Sequence, residues 1–183
     1  MSLRKEIRVS GSGGQGVILI SKILAEAAAV YEDLNATQTQ SYGPEARGGS
    51  SKADVIISDQ DIDYPKAEHL DVLMSLTQEA CNQYVGNLNP GGILLVDSRY
   101  VTDVPKGDFR AYSIPITETA EVELKKTLVA NIVALGALIG LGGLLKPENV
   151  EAAILSRVPR GTEELNTKAF RRGLELIRAA MGS

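Results

Sequence analysis

An α/β fold with a mostly parallel sheet flanked by helices, followed by a helical C-terminal part, is what this sequence predicts. Three observations carry it. Short β-branched runs alternate with helix-patterned stretches up to residue 115; a glycine turn, Gly11-Ser12-Gly13-Gly14-Gln15-Gly16, separates the first run from the first helix; and only helical patterns remain beyond residue 117.

Residues 6–10 (EIRVS) read as the first strand, and Ile20, Ile23, Leu24 and Ala27 recur at the helical interval that marks the first helix. NATQTQS (35–41) is polar and β-branched, which suits a strand at a sheet edge or lining a site. The loop SYGPEARGGSS (41–51) precedes KADVIIS, whose β-branched run reads as a buried strand. Irregular segments of that length seldom persist in compact domains without a function. DVLMSL (71–76) and GILLVDS (92–98) are short apolar runs of the kind covered on both faces in parallel sheets. Between them a helix is expected from Thr77, a good N-cap, to a stop at Asn89-Pro90-Gly91-Gly92. FRAYSIP (109–115) is the last strand expected. Helices follow over 117–126, the apolar stretch 128–145, residues 147–158 with Pro147 near N1, and 162–180.

The 183 residues, 44% of them hydrophobic, suffice for one well-buried domain spanning 1–183. A net charge of −4, a pI near 5.1 and the lack of a basic run argue against nucleic acid as a partner. The single cysteine, Cys81, excludes an internal disulfide, and MSLRKEIRV has too short an apolar core for a secretory signal, so a cytoplasmic location is expected. LVANIVALGALIGLGGLL (128–145) approaches the length of a membrane span, but Asn131 and Gly136, Gly140, Gly142 and Gly143 dilute it and no aromatic belt flanks it. It reads as a helix buried in protein, its small residues suited to close packing on another helix or subunit.

Gly11, Gly13 and Gly16 fit the spacing G-x-G-x-x-G in the required setting, after a strand and before a helix. Glycine permits the tight turn, and the free N–H groups at a helix start favour an anion. A dinucleotide site also needs an acidic residue at the end of the second strand, where this chain has TQTQS; Glu32 and Asp33 come before it and Glu45 beyond it. NAD is therefore disfavoured, and without a following Gly-Lys-Ser/Thr the turn is no P-loop. The remaining readings are anion contact through Gly11, Gly13, Gly14, Gln15 and Gly16, or tight helix-on-strand packing. The second loop sets Tyr42, Glu45 and Arg47 beside Gly48 and Gly49. An arginine fork next to exposed backbone N–H groups suits a carboxylate or phosphate, and a Glu45–Arg47 ion pair in a contact loop is the alternative.

With both loops in place, the chain resembles the gamma subunit of the 2-oxoacid:ferredoxin oxidoreductases. The likeness rests on GSGGQGVILISKILAEAA (11–28), NATQTQSYGPEARGGSSKADVIIS (35–58), DVLMSLTQEA (71–80), NPGGILLVDS (89–98), ANIVALGALIGL (130–141) and VPRGTEELNTKAF (158–170), nearly the whole chain. The Ser-Tyr-Gly-Pro-Glu-Ala-Arg-Gly-Gly form is most similar to the 2-oxoglutarate branch; pyruvate, 2-oxoisovalerate and indolepyruvate enzymes have related subunits. The resemblance implies a Rossmann-like three-layer sandwich and a multisubunit enzyme, with alpha and beta and a delta or ferredoxin-like subunit as partners and ferredoxin as acceptor. That enzyme decarboxylates a 2-oxoacid on thiamine diphosphate and magnesium, passes electrons through 4Fe-4S clusters, and acylates coenzyme A. Cubane clusters need about four thiolates each, which one cysteine cannot supply, and the Gly-Asp-Gly…Asn signature for thiamine diphosphate is absent. Those groups are expected on partner subunits, with no metal and no tightly bound cofactor on this chain. Coenzyme A is the ligand the resemblance leaves for it: a pyrophosphate on the helix after Gly16, with Arg47 reaching a phosphate. A purely structural assembly subunit is the alternative, and an isolated chain is expected to be inactive and to self-associate through its apolar helix.

Other residues carry blander expectations. Cys81 and His69 read as a buried thiol and a surface histidine rather than a nucleophilic pair. Asp54, Asp59, Asp61 and Asp63 match no calcium-loop spacing and read as solvated turn residues. Asp97-Ser98-Arg99 ends an apolar strand, where open α/β sheets place ligand contacts.

Overall fold

In the computed structural model, which describes residues 2–41 and 50–182, one sheet organises the chain. Its strands are β1 (Arg4–Gly11), β2 (Asn35–Ser41), β3 (Ser51–Ser58), β4 (Leu70–Ser75), β5 (Leu88–Asp97) and β6 (Phe109–Ile114), in the order β2-β3-β1-β4-β5-β6. β1, β4, β5 and β6 are parallel neighbours, whereas β3 runs antiparallel to both β1 and β2, so the sheet is mixed. Only residues 42–50 join β2 to β3, fewer than the dozen or more that a parallel crossover needs, so these adjacent strands run in opposite directions. β2 is an edge strand, as its composition predicts.

Alternation sorts the core into two layers. Ile7, Val9, Val55, Ile57, Val72, Met74 and Leu95 face α1 (Val17–Glu26), α4 (Ala130–Gly140), α5 (Pro147–Leu155) and α6 (Glu163–Gly182). Ile56, Leu73, Leu94 and Val96 face the short α2 (Gln78–Tyr84) and the irregular connections that bring in Ala67 and Val101. α1 runs on as a wider π-type turn over Ala27–Tyr31, and α3 (Ile116–Glu118) does the same over Thr119–Glu123.

Two helix boundaries differ from expectation. Thr77 does cap α2, accepting from Ala80 N–H at 3.2 Å, but the helix ends at Tyr84 and a 3₁₀ turn closes at Asn87. Asn89-Pro90-Gly91-Gly92 opens β5 instead of stopping a helix. Leu88 pairs with Leu70, a bulge follows, and the Gly91 N–H donates to Asp108 O at 2.7 Å. The apolar stretch is likewise not one helix: α4 covers Ala130–Gly140, and Gly142 and Gly143 follow with φ of +84° and +76°, left-handed values that end it.

α4 is apolar all round because it is enclosed all round, with Ile132 through Gly140 buried. Much of the enclosure is α6. A Cβ built on Gly136 would stand 2.1 Å from the Phe170 carbonyl oxygen, and one on Gly173 would stand 2.0 Å from that of Val133. The two backbones touch, and only glycine fits at the crossing. This helix is consumed within the chain itself, so its apolar character gives no argument for self-association.

On the α2 face an ion pair lies inside the sheet. Arg8 Nε donates to Asp54 Oδ1 at 2.7 Å and Nη2 to Oδ2 at 3.0 Å; further donors reach Asn87 Oδ1 and the Ala67 carbonyl, and the guanidinium lies 5.0 Å from the Tyr84 ring centroid. Asp54 is thus buried and paired, not a solvated turn residue; Asp59, Asp61 and Asp63 are exposed. Cys81 is fully buried in the same layer and His69 is exposed, so they form no pair. Burial, with a smaller contribution from Asp103, pushes the Cys81 thiol up to about 11.

Three measurements check this packing. Gly173→Ala, which would gain up to about 1 kcal/mol in an exposed helix, instead loses about 2 kcal/mol by overpacking; a urea midpoint at or above wild type would remove the contact argument. Arg8→Met costs about 3–5 kcal/mol by stranding Asp54, and adding Asp54→Leu recovers most of it; a double variant no better than the single refutes that account. Cys81 resists iodoacetamide at neutral pH until denaturant is added. Because its folded-state value lies above the unfolded one, its contribution favours folding below the ordinary thiol range and is lost as pH rises through about 11.

Candidate functional site

β1 and β4 are parallel neighbours whose chains leave in opposite senses, β1 through α1 towards β2 and β4 through α2 towards β5. Open sheets of this kind part at such a point beyond the carboxyl ends of the strands. The glycine turn lies there. Gln15 occupies the gap: its Oε1 accepts from Ser12 N–H at 2.7 Å, and its Nε2 donates to the Leu76 carbonyl beyond β4 at 3.2 Å. A Cβ on Gly11 would stand 2.4 Å from Gln15 Oε1, so that glycine makes room for the brace.

The other glycines divide by role. Gly16, with φ +79°, begins α1, and a Cβ there would fall 2.6 Å from Asn131 Nδ2 in the first turn of α4. Gly13 and Gly14 face open space, with nothing within 4 Å of an added Cβ. Of the turn residues expected to contact a ligand, Gly13 and Gly14 thus present bare backbone, while Gly11, Gln15 and Gly16 also hold the turn against β4 and α4.

Tyr42, Glu45, Arg47, Gly48 and Gly49 lie outside the described residues. The strands they join are described. Ser41 pairs with Lys52 and Gly11 with Ser51, and Ser51 Oγ donates to the Gly11 carbonyl at 3.4 Å. Both ends of that loop therefore stand at the edge of the sheet from which the glycine turn rises. Lys52, the first side chain beyond Ser51, has its Nζ 5.6 Å from the Tyr84 ring centroid and 4.0 Å from Asp54 Oδ2. Burial, and then the charge of Arg8, hold its amine below the usual lysine range.

Over the glycine turn opens a cleft of about 570 Å³, within the range of small-molecule sites. Gly14, Gln15 and Gly16 form one wall and residues 126–132 the other, with Pro159 and Thr162 from the connection before α6 closing the far side. The lining is mainly aliphatic, from Leu19, Ile23, Leu76, Ile116 and Leu128. Asp97 reaches the cleft, but its carboxylate is engaged: Oδ2 accepts from Thr117 Oγ1 at 2.5 Å and Thr117 N–H at 3.1 Å, and Oδ1 from Arg99 N–H. It joins β5 to α3, and Arg99 pairs with Glu121. Arg157, at the rim, is held by Glu26.

Two groups on the facing wall went unmarked by motif reading. The first is Asn131, a carboxamide inside an otherwise apolar helix; the second is Lys126, exposed at the mouth and without an ion-pair partner among the described residues. A polar residue interrupting an apolar run was the signal available for Asn131. Nothing in the donor set suits a cluster or metal. Cys81 is buried away from the cleft lining, and no three His, Cys, Asp or Glu side chains gather among the described residues. Nor is any described helix long and apolar enough to cross a membrane.

Residues 6–176 match the family model for pyruvate ferredoxin/flavodoxin oxidoreductase. The chain is 51% identical over 180 residues to the 2-oxoglutarate synthase subunit KorC of Methanocaldococcus jannaschii, covering 97% of this chain and 96% of that one. It is 30% identical over 177 residues to the pyruvate synthase subunit PorC of Methanothermobacter thermautotrophicus, covering 94% and 95%. The crystal structure of a keto/oxoacid ferredoxin oxidoreductase gamma subunit from Geobacter sulfurreducens superposes with a TM-score of 0.91 at 50% identity, covering 97% of this chain and 98% of that one. A 2-oxoglutarate:ferredoxin oxidoreductase from Magnetococcus marinus, with 2-oxoglutarate, coenzyme A and succinyl-CoA bound, matches at TM-score 0.84 and 26% identity over 96% of this chain and 31% of that one. In fold and in sequence, this chain belongs to the pyruvate ferredoxin/flavodoxin oxidoreductase family.

Proposed function

We propose that the chain is the gamma-type subunit of a multisubunit 2-oxoacid:ferredoxin oxidoreductase acting on 2-oxoglutarate, and that its cleft takes part in holding coenzyme A. The observation that carries the first half is the end-to-end likeness, at 51% identity, to a 2-oxoglutarate synthase subunit, against 30% to a pyruvate synthase subunit. The enzyme oxidises the 2-oxoacid to an acyl group with loss of carbon dioxide, passes two electrons to ferredoxin, and transfers the acyl group to the coenzyme A thiol. The 4Fe-4S clusters belong to partner chains in this reading, because one buried cysteine is no donor set for them, and thiamine diphosphate and magnesium are placed there too because the Gly-Asp-Gly…Asn signature is absent. Alpha and beta subunits, with a delta or ferredoxin-like chain, complete the assembly, and ferredoxin accepts the electrons.

Three features of the cleft support a coenzyme A role. Its aliphatic lining suits a pantetheine arm. The bare backbone at Gly13 and Gly14, at the start of α1, suits a pyrophosphate. Lys126 stands at the mouth without an ion-pair partner among the described residues, and Arg47, in the loop between β2 and β3, is the second cation of the proposed contact, with Tyr42, Glu45, Gly48 and Gly49 near it in the sequence. One observation favours the alternative of a purely structural subunit: Leu128 and Val122, at 80% and 63% exposure, suit a protein surface as cover.

The assembled enzyme decides between them. Arg47→Gln and Gly13→Val, with subunit composition unchanged, raise KM for coenzyme A about tenfold, the worth of one charge-assisted contact, and leave KM for the 2-oxoacid unmoved. Unchanged coenzyme A kinetics in both variants rejects the contact and leaves the structural reading. Wild-type kcat/KM is highest for 2-oxoglutarate; a preference for pyruvate overturns the substrate assignment.

A further inference from the structure

At the opposite end of the sheet, where β1, β4, β5 and β6 begin, lies a second and smaller groove of about 220 Å³. Its walls come from five separate parts of the chain: Lys5 and Asp71 at the strand starts, Asn89–Gly92 at the start of β5, Arg110 in β6, and Leu141–Leu144 after α4. Its surface is mostly polar. Gly91, Gly142 and Gly143 all have φ between +76° and +84°, and a Cβ on Gly92 would stand 2.9 Å from the Asn89 carbonyl.

The charges of this groove do not satisfy one another. Among the described residues, neither Lys5 nor Arg110 has an ion pair within 4.0 Å or a side-chain hydrogen bond, although Asp71 lines the same groove. Asp71 has other employment, its Oδ2 accepting from Glu6 N–H at 2.8 Å. The Gly143 and Leu144 N–H groups have no backbone acceptor among the described residues, whereas Gly142 N–H donates to Ile139 O at 3.1 Å. The negative end of α4 lowers the cost of gathering two cations here, yet it does not use their donors.

We infer that this groove is a carboxylate-binding site, with Arg110 as the fork, Lys5 as the second cation, and the free N–H groups after α4 as further donors. Counting Asp71, the groove carries one net positive charge, which a single carboxylate neutralises. A phosphate dianion would bring its second charge against Asp71. The volume admits a small carboxylic acid or the tip of an acidic side chain, and is below that of an ordinary small-molecule site. The site is independent of the coenzyme A cleft and of which 2-oxoacid reacts.

The test uses the assembled enzyme, wild type and Lys5→Gln/Arg110→Gln, with acetate and inorganic phosphate as probes followed by saturation-transfer NMR. Subunit retention across a sodium chloride series is followed by native mass spectrometry. If a free acid occupies the groove, acetate binds the wild type and the double variant weakens it about tenfold, with kcat for the 2-oxoacid unchanged. If a neighbouring subunit supplies the carboxylate, acetate binding is the same in both, and the double variant releases a subunit at about half the salt the wild type tolerates. The inference is overturned if phosphate binding falls as much as acetate binding, or if the variants differ in neither measurement.

Discussion

The backbone contact between α4 and α6 is the constraint on which the rest of this molecule depends. Gly136 and Gly173 bring two helices to a separation that no side chain permits, and α4 lies against α6 with Ile132 through Gly140 buried. From that seat the first turn of α4 meets the first turn of α1, where Asn131 fills the space left by Gly16. The cleft is what remains between these two helix starts once Gln15 has braced the turn to the end of β4. A fold-level contact and the shape of the site are therefore linked through one helix.

The two faces of the sheet are held together by different physics. The α1 side is a continuous aliphatic core, in which loss of volume or overpacking is felt at once. On the other side a buried guanidinium takes the place of core volume between α2 and the sheet, held by a carboxylate, an amide, a carbonyl and an aromatic face. Such a network is stabilising only when complete, which makes the thin side of the sandwich the more specific in its requirements.

Much of this was legible from composition and periodicity, and what was not had local causes. All six strands were marked, by β-branched or short apolar runs, and the edge position of β2 by its polarity. The reversed direction of β3 was in principle readable, since too few residues separate it from β2 for a parallel crossover. The start of β5 was missed because Pro90, Gly91 and Gly92 are helix-ending residues that here form a strand entry, supported by a hydrogen bond to Asp108, which lies far along the chain. Asp54 was misjudged because its partner, Arg8, is remote in sequence and aligned with it only by the pairing of β1 with β3. In the site, the glycine spacing located the turn but could not divide it into bracing and open positions, which depends on Asn131 and Leu76 arriving from elsewhere.

β3 ties the second loop to the sheet at both ends, through one ladder to β2 and another to β1. The strands that carry it are themselves held in register by those two ladders. Residues can be added, removed or exchanged between Ser41 and Ser51 without shifting the register of any strand, because each ladder is fixed by its own pairings. The glycine turn has no such freedom, since its length sets where α1 begins. Within one scaffold, then, one loop is free to diversify while the other stays fixed. That division allows relatives sharing this sheet to differ in what they contact at the carboxyl edge while keeping the same core.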